Sequence, residues 1–229
     1  MVDNINNLLF GYYPYMAGTV FLLGSLVRFD LSQYTWRTGS SQLLHSNTTF
    51  RYAMNAFHIG IILLFFGHFF GLLTPPAIYH AFGISTGVKQ AASMVAGGVF
   101  GLLCLLGITY LLYRRLFIPR VRANSAFMDT FVIILLYIQL LLGIGTIWVS
   151  TGHMDGSMML MMTEWAQRIV TFRGGAAQAL AGAHWYYKLH IFIGVTIFLV
   201  FPFTRLVHIW SVPYAYIARS YQVVRRRHT

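Results

Sequence analysis

The segment FHIGIILLFFGHFFGLL, residues 57–73, decides the fold class of this chain of 229 residues. It contains no Asp, Glu, Lys or Arg, and His58 and His68 are its only ionisable side chains. The segment belongs to an apolar stretch that begins near Tyr52. Because a helix needs about 20 mostly apolar residues to cross a bilayer, this stretch predicts a transmembrane helix.

The composition of the whole chain also indicates a membrane protein. Hydrophobic residues make up 57% of the sequence and charged residues 9%, whereas a soluble domain usually has about 25% charged residues. The net charge is +11, but the basic residues lie between the apolar stretches, as expected at a membrane surface and not on a nucleic-acid-binding face. We therefore expect membrane lipid, and no nucleic acid, among the partners.

Five apolar stretches are long enough to cross a membrane. They cover approximately residues 8–27, 52–73, 91–113, 127–149 and 185–210. The first contains Pro14 and several tyrosines, which are tolerated near a helix start and at the membrane interface. The N-terminus lacks the features of a cleaved signal peptide, so we expect the first helix to be retained. The predicted fold is a single all-α membrane domain over residues 1–229 with five transmembrane helices.

The distribution of basic residues predicts the orientation of these helices. Most of the 16 Lys and Arg residues lie on the side that the chain reaches after the first, third and fifth helices. Because cytoplasmic loops carry an excess of positive charge, we expect the N-terminus outside and the C-terminus in the cytoplasm. The longest outer loop, residues 150–184, predicts an amphipathic interfacial helix whose methionines fill an apolar face and do not bind a metal.

Four of the nine histidines fall within the predicted spans, two on the second and two on the fifth. Ionisable side chains inside a membrane are costly and mark function. The two spans run in opposite directions, so His58 and His208 lie at a similar depth near the cytoplasm. By the same reasoning, His68 and His190 lie at a similar depth near the outer face.

The spacing of the histidines does not suit two straight helices. His190 and His208 are 18 residues apart, which places them on one face and about 27 Å apart along an ideal helix. His58 and His68 are 10 residues apart, which gives about 15 Å and a rotation of about 80°. We therefore expect a strong tilt or a bend in one of the two helices, for which Pro202 is the candidate.

Two pairs of imidazoles at matched depths suit two haem irons, each with two axial histidines. Such iron has no open position for oxygen and is suited to electron transfer. The absence of a CxxCH motif argues against covalent attachment of haem. Glycines beside the histidines leave room for a macrocycle, although they also allow close helix packing; they are Gly60, Gly67, Gly71 and Gly194. A proton relay fits less well, since no acidic residue lies deep in a span.

The sequence resembles the gamma subunit of respiratory nitrate reductase, a cytochrome b membrane anchor. The resemblance extends over nearly the whole chain and includes loops as well as spans. The motifs that carry it are YPY (13–15), QYTWR (33–37), FHIGI and GHFFG around His58 and His68, RRLFIPRVRA (114–123), HMDGS (153–157), VTFRGGAAQ (170–178) and FPFTRLVHIWSVP (201–213).

The resemblance implies two non-covalent b haems, a cytoplasm-side one bound by His58 and His208 and an outer one bound by His68 and His190. It also implies oxidation of a quinol, menaquinol or ubiquinol, near Gly67, His68 and Lys89, with release of protons outside. Arginines at the cytoplasmic side are candidates for binding the haem propionates, which planar guanidinium groups suit; they are Arg115, which matches the family position best, and Arg37.

The implied partners are a cytoplasmic iron–sulfur subunit and a molybdenum-containing catalytic subunit that reduces nitrate. The implied location is the bacterial cytoplasmic (inner) membrane. A related cytochrome b anchor of another cytoplasmic reductase is the alternative that shares the same haems. A transporter or a passive anchor without haem is the alternative from a different class.

Overall fold

The computed structural model describes residues 2–36 and 47–211, and it is helical through most of both ranges. Two short segments are a π-helix, Asn7–Tyr12, and a 3-10 helix, Gln33–Thr35. The α-helices are α1 (Val2–Asn6), α2 (Tyr13–Ser32), α3 (Thr48–Leu73), α4 (Pro76–Ala81), α5 (Thr86–Phe117), α6 (Pro119–Ala123), α7 (Phe127–Thr151), α8 (Ser157–Val170), α9 (Ala176–Ala179) and α10 (Trp185–Val200).

Four helices are long and apolar enough to cross a membrane, namely α3, α5, α7 and the stretch Trp185–Phe203 that contains α10. The predicted all-α membrane fold is confirmed for these four. The predicted first span lies within a helical stretch that continues from α1 through the π-helix to the end of α2. Arg28 and Asp30 near its end lower the hydropathy of α2, and its crossing of the membrane stays a prediction.

The long helices pack in chain order. Helix α3 packs along α5, α5 along α7, and α7 along α10, while α2 returns to lie beside α10. The helices that carry the histidines, α3 and α10, are not among the extensively contacting pairs in the described ranges. Helices α5 and α7 therefore form one wall of the space between them.

Helices α3 and α5 approach each other closely through glycines. A Cβ atom added to Gly107 would clash with the backbone nitrogen of Phe57, and one added to Gly60 would lie 2.8 Å from the backbone nitrogen of Cys104. Small residues allow such close approach of membrane helices. Gly60, one of the glycines considered for haem space, is therefore a helix-packing residue.

The amphipathic helix predicted in the long outer loop is confirmed as α8. Its buried residues include Met158 and Met162, which pack with Phe10, Leu180 and Tyr187 in an apolar cluster. The methionines thus fill an apolar face, as their sequence context predicted.

The buried side chain of Gln90 fixes the start of this loop to α5. Its Nε2 donates to the carbonyl of His153 at 2.6 Å, and its Oε1 accepts from the backbone N–H of Met159 at 3.4 Å. One side chain thus satisfies backbone groups on both sides of the turn that leads into α8.

The bend expected at Pro202 is confirmed. Helix α10 ends at Val200, a 3-10 turn covers Phe201–Phe203, and a second 3-10 segment covers Arg205–Ser211. Thr204 between them is extended, with φ −115° and ψ 177°. Proline has no N–H to continue the α-helical hydrogen bonds, so the fifth predicted span is an α-helix only as far as Val200.

We predict that Gly107→Ala destabilises the protein, because the added methyl group meets backbone atoms of α3 that cannot move aside. Overpacking of this kind costs about 1–3 kcal/mol, which should lower the thermal midpoint by about 2–10 °C. A thiol-reactive fluorescent dye can follow unfolding in detergent, since the buried Cys104 is the single cysteine of the chain. Gly18→Ala is the matched control, with nothing within 4 Å of its added Cβ. Equal midpoints for the two variants would contradict the close contact.

Candidate functional site

The structure brings the predicted outer pair of histidines together across two helices. His68 lies on α3 and His190 on α10, and their ring centroids are 6.0 Å apart with a 39° angle between the ring planes. Metal–imidazole bonds are about 2 Å long, so two such bonds and the distance from each nitrogen to its ring centre add up to about 6 Å. The spacing of the two rings therefore fits a single metal ion between them.

The second predicted pair lies at the opposite end of the bundle. His58 is on α3 and His208 is on the 3-10 segment after Pro202. We call this the arginine-rich end, because Arg28, Arg114, Arg115 and Arg205 lie there. The proximity of His68 and His190 is confirmed, while the pairing of His58 with His208 and the role of all four as iron ligands stay predictions.

Three of the four imidazoles have the same hydrogen bond from Nδ1 to a backbone carbonyl. His58 contacts the carbonyl of Met54 at 2.8 Å, His68 that of Leu64 at 2.7 Å, and His208 that of Arg205 at 2.5 Å. A carbonyl only accepts, so Nδ1 carries the proton and Nε2 keeps its lone pair in the neutral ring. Metal-bound histidines commonly show this arrangement, which fixes the ring and its tautomer.

His190 differs from the other three and contacts an amide. Its Nε2 lies 3.4 Å from Nε2 of Gln139 on α7, while its Nδ1 is buried without a hydrogen-bond partner in the described structure. The Oε1 atom of Gln139 is also buried without a partner there. Buried polar atoms normally have partners, so unsatisfied atoms at this position favour a site that binds a further group. The sequence analysis missed Gln139, although an amide inside an apolar span was a visible signal.

Space for a bulky ligand is present beside His68. A Cβ atom added to Gly67 or Gly71 would have nothing within 4 Å. A Cβ added to Gly194 would lie 3.0 Å from the Gln139 amide, and one added to Gly143 would lie 3.0 Å from the ring of His190. These two glycines let α7 and α10 bring the amide and the imidazole together. The histidine pairs and the open space beside His68 therefore fit haem as the bound group.

A partly buried ion-pair network lies at the arginine-rich end. Asp129 binds Arg205 at 2.6 Å and Arg115 at 3.5 Å, and Arg115 also donates to the Ser125 hydroxyl at 2.7 Å. Side-chain exposure is only 9% for Arg115 and 14% for Asp129. Arg115, the predicted propionate ligand, is thus held in place by protein groups. Arg37, the other candidate, lies outside the described residues.

Lys89, predicted to bind quinol, starts α5 near the end of α3. Its ammonium group donates to the carbonyl of Thr74 at 3.3 Å and lies 4.3 Å from the centre of the Tyr79 ring. Neither contact involves Gly67 or His68, the other residues of the predicted quinol site. Lys89 thus contacts the segment that follows α3. Its contact there, Thr74, is six residues after His68 in the sequence.

These features define a class, the multi-pass membrane proteins that bring histidines of different helices together inside the bundle. Residues 6–227 match the family described as "Nitrate reductase gamma subunit". The chain therefore belongs to the nitrate reductase gamma subunit family, as a membrane subunit of a respiratory nitrate reductase.

Individual relatives match over almost their whole length. The chain is 52% identical to the respiratory nitrate reductase 1 gamma chain of Escherichia coli (strain K12), over 98% of this chain and 99% of that one. It is 48% identical to the respiratory nitrate reductase 2 gamma chain of the same organism, over 99% and 100%. It is 33% identical to the nitrate reductase gamma chain of Bacillus subtilis (strain 168), over 96% and 98%. The resemblance inferred from the sequence motifs is confirmed.

We predict that Asp129→Asn destabilises the arginine-rich end, because Arg115 and Arg205 lose the carboxylate between them. Loss of a hydrogen bond to a charged group costs about 1.5–3 kcal/mol, and the thermal midpoint followed at Cys104 should fall accordingly. Asp155→Asn is the control, because Asp155 is exposed and accepts hydrogen bonds only from Ser157 in the described structure. Those bonds also lower its pKa, so it is ionised at neutral pH. A midpoint for Asp129→Asn no lower than that of the control would show that the network contributes little.

Proposed function

We propose that this chain is the di-haem cytochrome b subunit that takes electrons from a membrane quinol for a respiratory nitrate reductase. The observation that carries the proposal is the approach of His68 and His190 to 6.0 Å from two different helices. Two b haems, one at each histidine pair, would supply reversible one-electron chemistry with no open coordination position. The protein supplies the axial imidazoles and the separation of the two sites along the bundle.

The hydrogen bonds of the histidines support this assignment. Nδ1 of His58, His68 and His208 is occupied by a backbone carbonyl, so each ring presents Nε2 in a fixed direction. Donation from Nδ1 also raises the basicity of the ligating nitrogen. A transporter or a passive anchor without haem does not account for three imidazoles oriented in the same way and the approach of His68 to His190.

In this proposal the arginine-rich end faces the cytoplasm. The stretch formed by the π-helix and α2 is also a transmembrane helix, which brings the number of transmembrane helices to five. The positive-inside rule supports the direction, because four further arginines follow Ser211 and Arg37 lies in the segment before α3. The tail with Arg225, Arg226 and Arg227, which lies outside the described residues, would then be available for orientation and docking of a cytoplasmic partner.

Quinol oxidation would take place at the opposite end, near Gly67, His68 and Lys89. The open space beside Gly67 supports the binding of a flat ring there. Lys89 is held at the end of α3 by Thr74 and Tyr79, from where its flexible chain can turn to donate to a quinol oxygen. Protons released at this end would leave on the outer side, and either menaquinol or ubiquinol suits these groups.

The proposed electron acceptors are a cytoplasmic iron–sulfur subunit and, beyond it, a molybdenum-containing catalytic subunit. Nitrate reduction would take place in that catalytic subunit and not in this chain. Membership of the gamma subunit family supports partners of this kind. Arg115, buried at the arginine-rich end, is proposed to bind a propionate of the cytoplasm-side haem while it keeps its contact with Ser125.

We predict that the purified, dithionite-reduced protein shows low-spin b-haem bands that correspond to two haems per chain. His68→Ala or His190→Ala should remove the outer haem, because its iron loses one of two axial imidazoles, and quinol-dependent activity should stop. His80→Ala is the control, because His80 is exposed and contacts Thr86 at 3.2 Å outside both pairs. A folded but colourless protein would rule out the haem proposal, and undiminished quinol oxidation by His68→Ala would rule out this pairing.

We predict that Lys89→Ala slows quinol oxidation while both haems stay bound. A hydrogen bond from a charged donor is worth about 1.5–3 kcal/mol, so kcat/KM for quinol should fall about 10-fold or more. Lys188→Ala is the matched control, because Lys188 also donates to a backbone carbonyl, that of Ala181, at 3.3 Å. Wild-type kinetics for Lys89→Ala would reduce this residue to an interfacial anchor.

A further inference from the structure

The segment that carries His208 lacks the hydrogen bonds of a continuous α-helix. Pro202 ends the α-helical pattern, and Thr204 is extended. Backbone carbonyls released in this way need partners, since unsatisfied polar groups near a membrane interior are costly. The partners of the carbonyls of Pro202 and Thr204 therefore determine the course of the chain towards His208.

Arg28 of α2 supplies those partners. Its Nη1 donates to the carbonyl of Pro202 at 2.6 Å and to that of Thr204 at 2.8 Å. The rest of the guanidinium is fixed by Thr35, whose hydroxyl accepts from Nε at 3.1 Å and whose carbonyl accepts from Nη2 at 3.3 Å. A single side chain thus binds both carbonyls that flank the break and is itself held in one position.

Two further residues on the same face of α2 contact the break. A Cβ atom added to Gly24 would lie 2.9 Å from Cγ of Pro202. The ring of Phe21 lies 4.8 Å from that of Phe201 and 5.5 Å from that of Trp210. Phe21, Gly24 and Arg28 are three and four residues apart, which places them on one stripe of the helix. This stripe contacts the chain on both sides of His208.

Contacts continue from the break to the imidazole itself. The buried hydroxyl of Thr204 donates to the carbonyl of Phe201 at 3.0 Å and accepts from the N–H of Leu206 at 3.1 Å. The carbonyl of Arg205 accepts from Nδ1 of His208 at 2.5 Å. A shift of Thr204 would therefore move Arg205 and change the direction of the ring.

We propose that Arg28 is a positioning residue for the cytoplasm-side haem. It binds the carbonyls of Pro202 and Thr204, holds the 3-10 segment against α2 and so fixes the direction of Nε2 of His208. The inference rests on the proposed binding of haem by His58 and His208. Arginine suits the task because its planar fork offers several donors in fixed directions, whereas lysine is a single point of charge.

The test compares Arg28→Gln and Arg28→Lys in the complete membrane complex. Haem content, the midpoint potentials of the two haems and their low-spin EPR signals are measured in each variant. Arg28→Gln is expected to lose the cytoplasm-side haem or to shift its potential and EPR signal, while the outer haem keeps wild-type values. Arg28→Lys, which still donates to one carbonyl, is expected to give a smaller shift of the same haem.

Arg122→Gln is the matched control, because Arg122 is an exposed arginine near the same end whose side chain makes no hydrogen bond in the described structure. It should leave both haems unchanged. A wild-type complex without haem would reject the proposed function itself. Two haems in the wild type, with wild-type potentials and EPR signals in Arg28→Gln, would overturn the role of Arg28 alone. An equal loss of both haems in Arg28→Gln would also overturn it, since a positioning role affects the cytoplasm-side haem first.

Discussion

The arrangement of this protein depends on one constraint, that α3 and α10 face each other through imidazoles without packing tightly together. Direct packing of the two helices would close the space that His68 and His190 share. Instead α3 packs on α5 through Gly60 and Gly107, and α10 packs on α7. The close glycine contacts hold α3 against α5, while Gly67 and Gly71, further along α3, would have nothing within 4 Å of an added Cβ.

A second requirement follows from the unequal spacing of the histidines on the two helices. Ten residues separate the histidines of α3, and 18 separate those of α10 and the segment after it, so both pairs cannot meet between straight helices. The break after Val200 resolves the mismatch, and it releases backbone carbonyls that a membrane helix normally satisfies internally. Arg28 donates hydrogen bonds to the carbonyls of Pro202 and Thr204, and the Thr204 hydroxyl donates to the carbonyl of Phe201. Helix α2 therefore contributes to the site of a histidine that it does not carry.

Position along the helices was predictable from the sequence, but rotation about the helix axis was not. Apolar length and chain direction were enough to predict that His68 lies beside His190, and the axial mismatch pointed to Pro202. Reasoning from the sequence could not distinguish the roles of Gly60 and Gly67, because both lie close to a histidine of α3. In the structure Gly60 packs against Cys104, whereas a Cβ added to Gly67 would have nothing within 4 Å. The contacts of Arg28 and Gln139 depend on which helices become neighbours. Charge counting therefore treated Arg28 only as a marker of orientation.

The charges at the arginine-rich end bear on the assignment of the cytoplasm-side site. Asp129 carries one negative charge and binds two guanidinium groups, those of Arg115 and Arg205, in a setting where all three side chains are mostly buried. One carboxylate neutralises one of them, and an uncompensated buried charge is costly. The excess positive charge lies beside the segment that leads to His208. A haem propionate from the proposed site would neutralise it, so the network would be more stable with the cofactor than without it. The positive charge at the arginine-rich end would in turn favour the proposed binding of haem at His58 and His208.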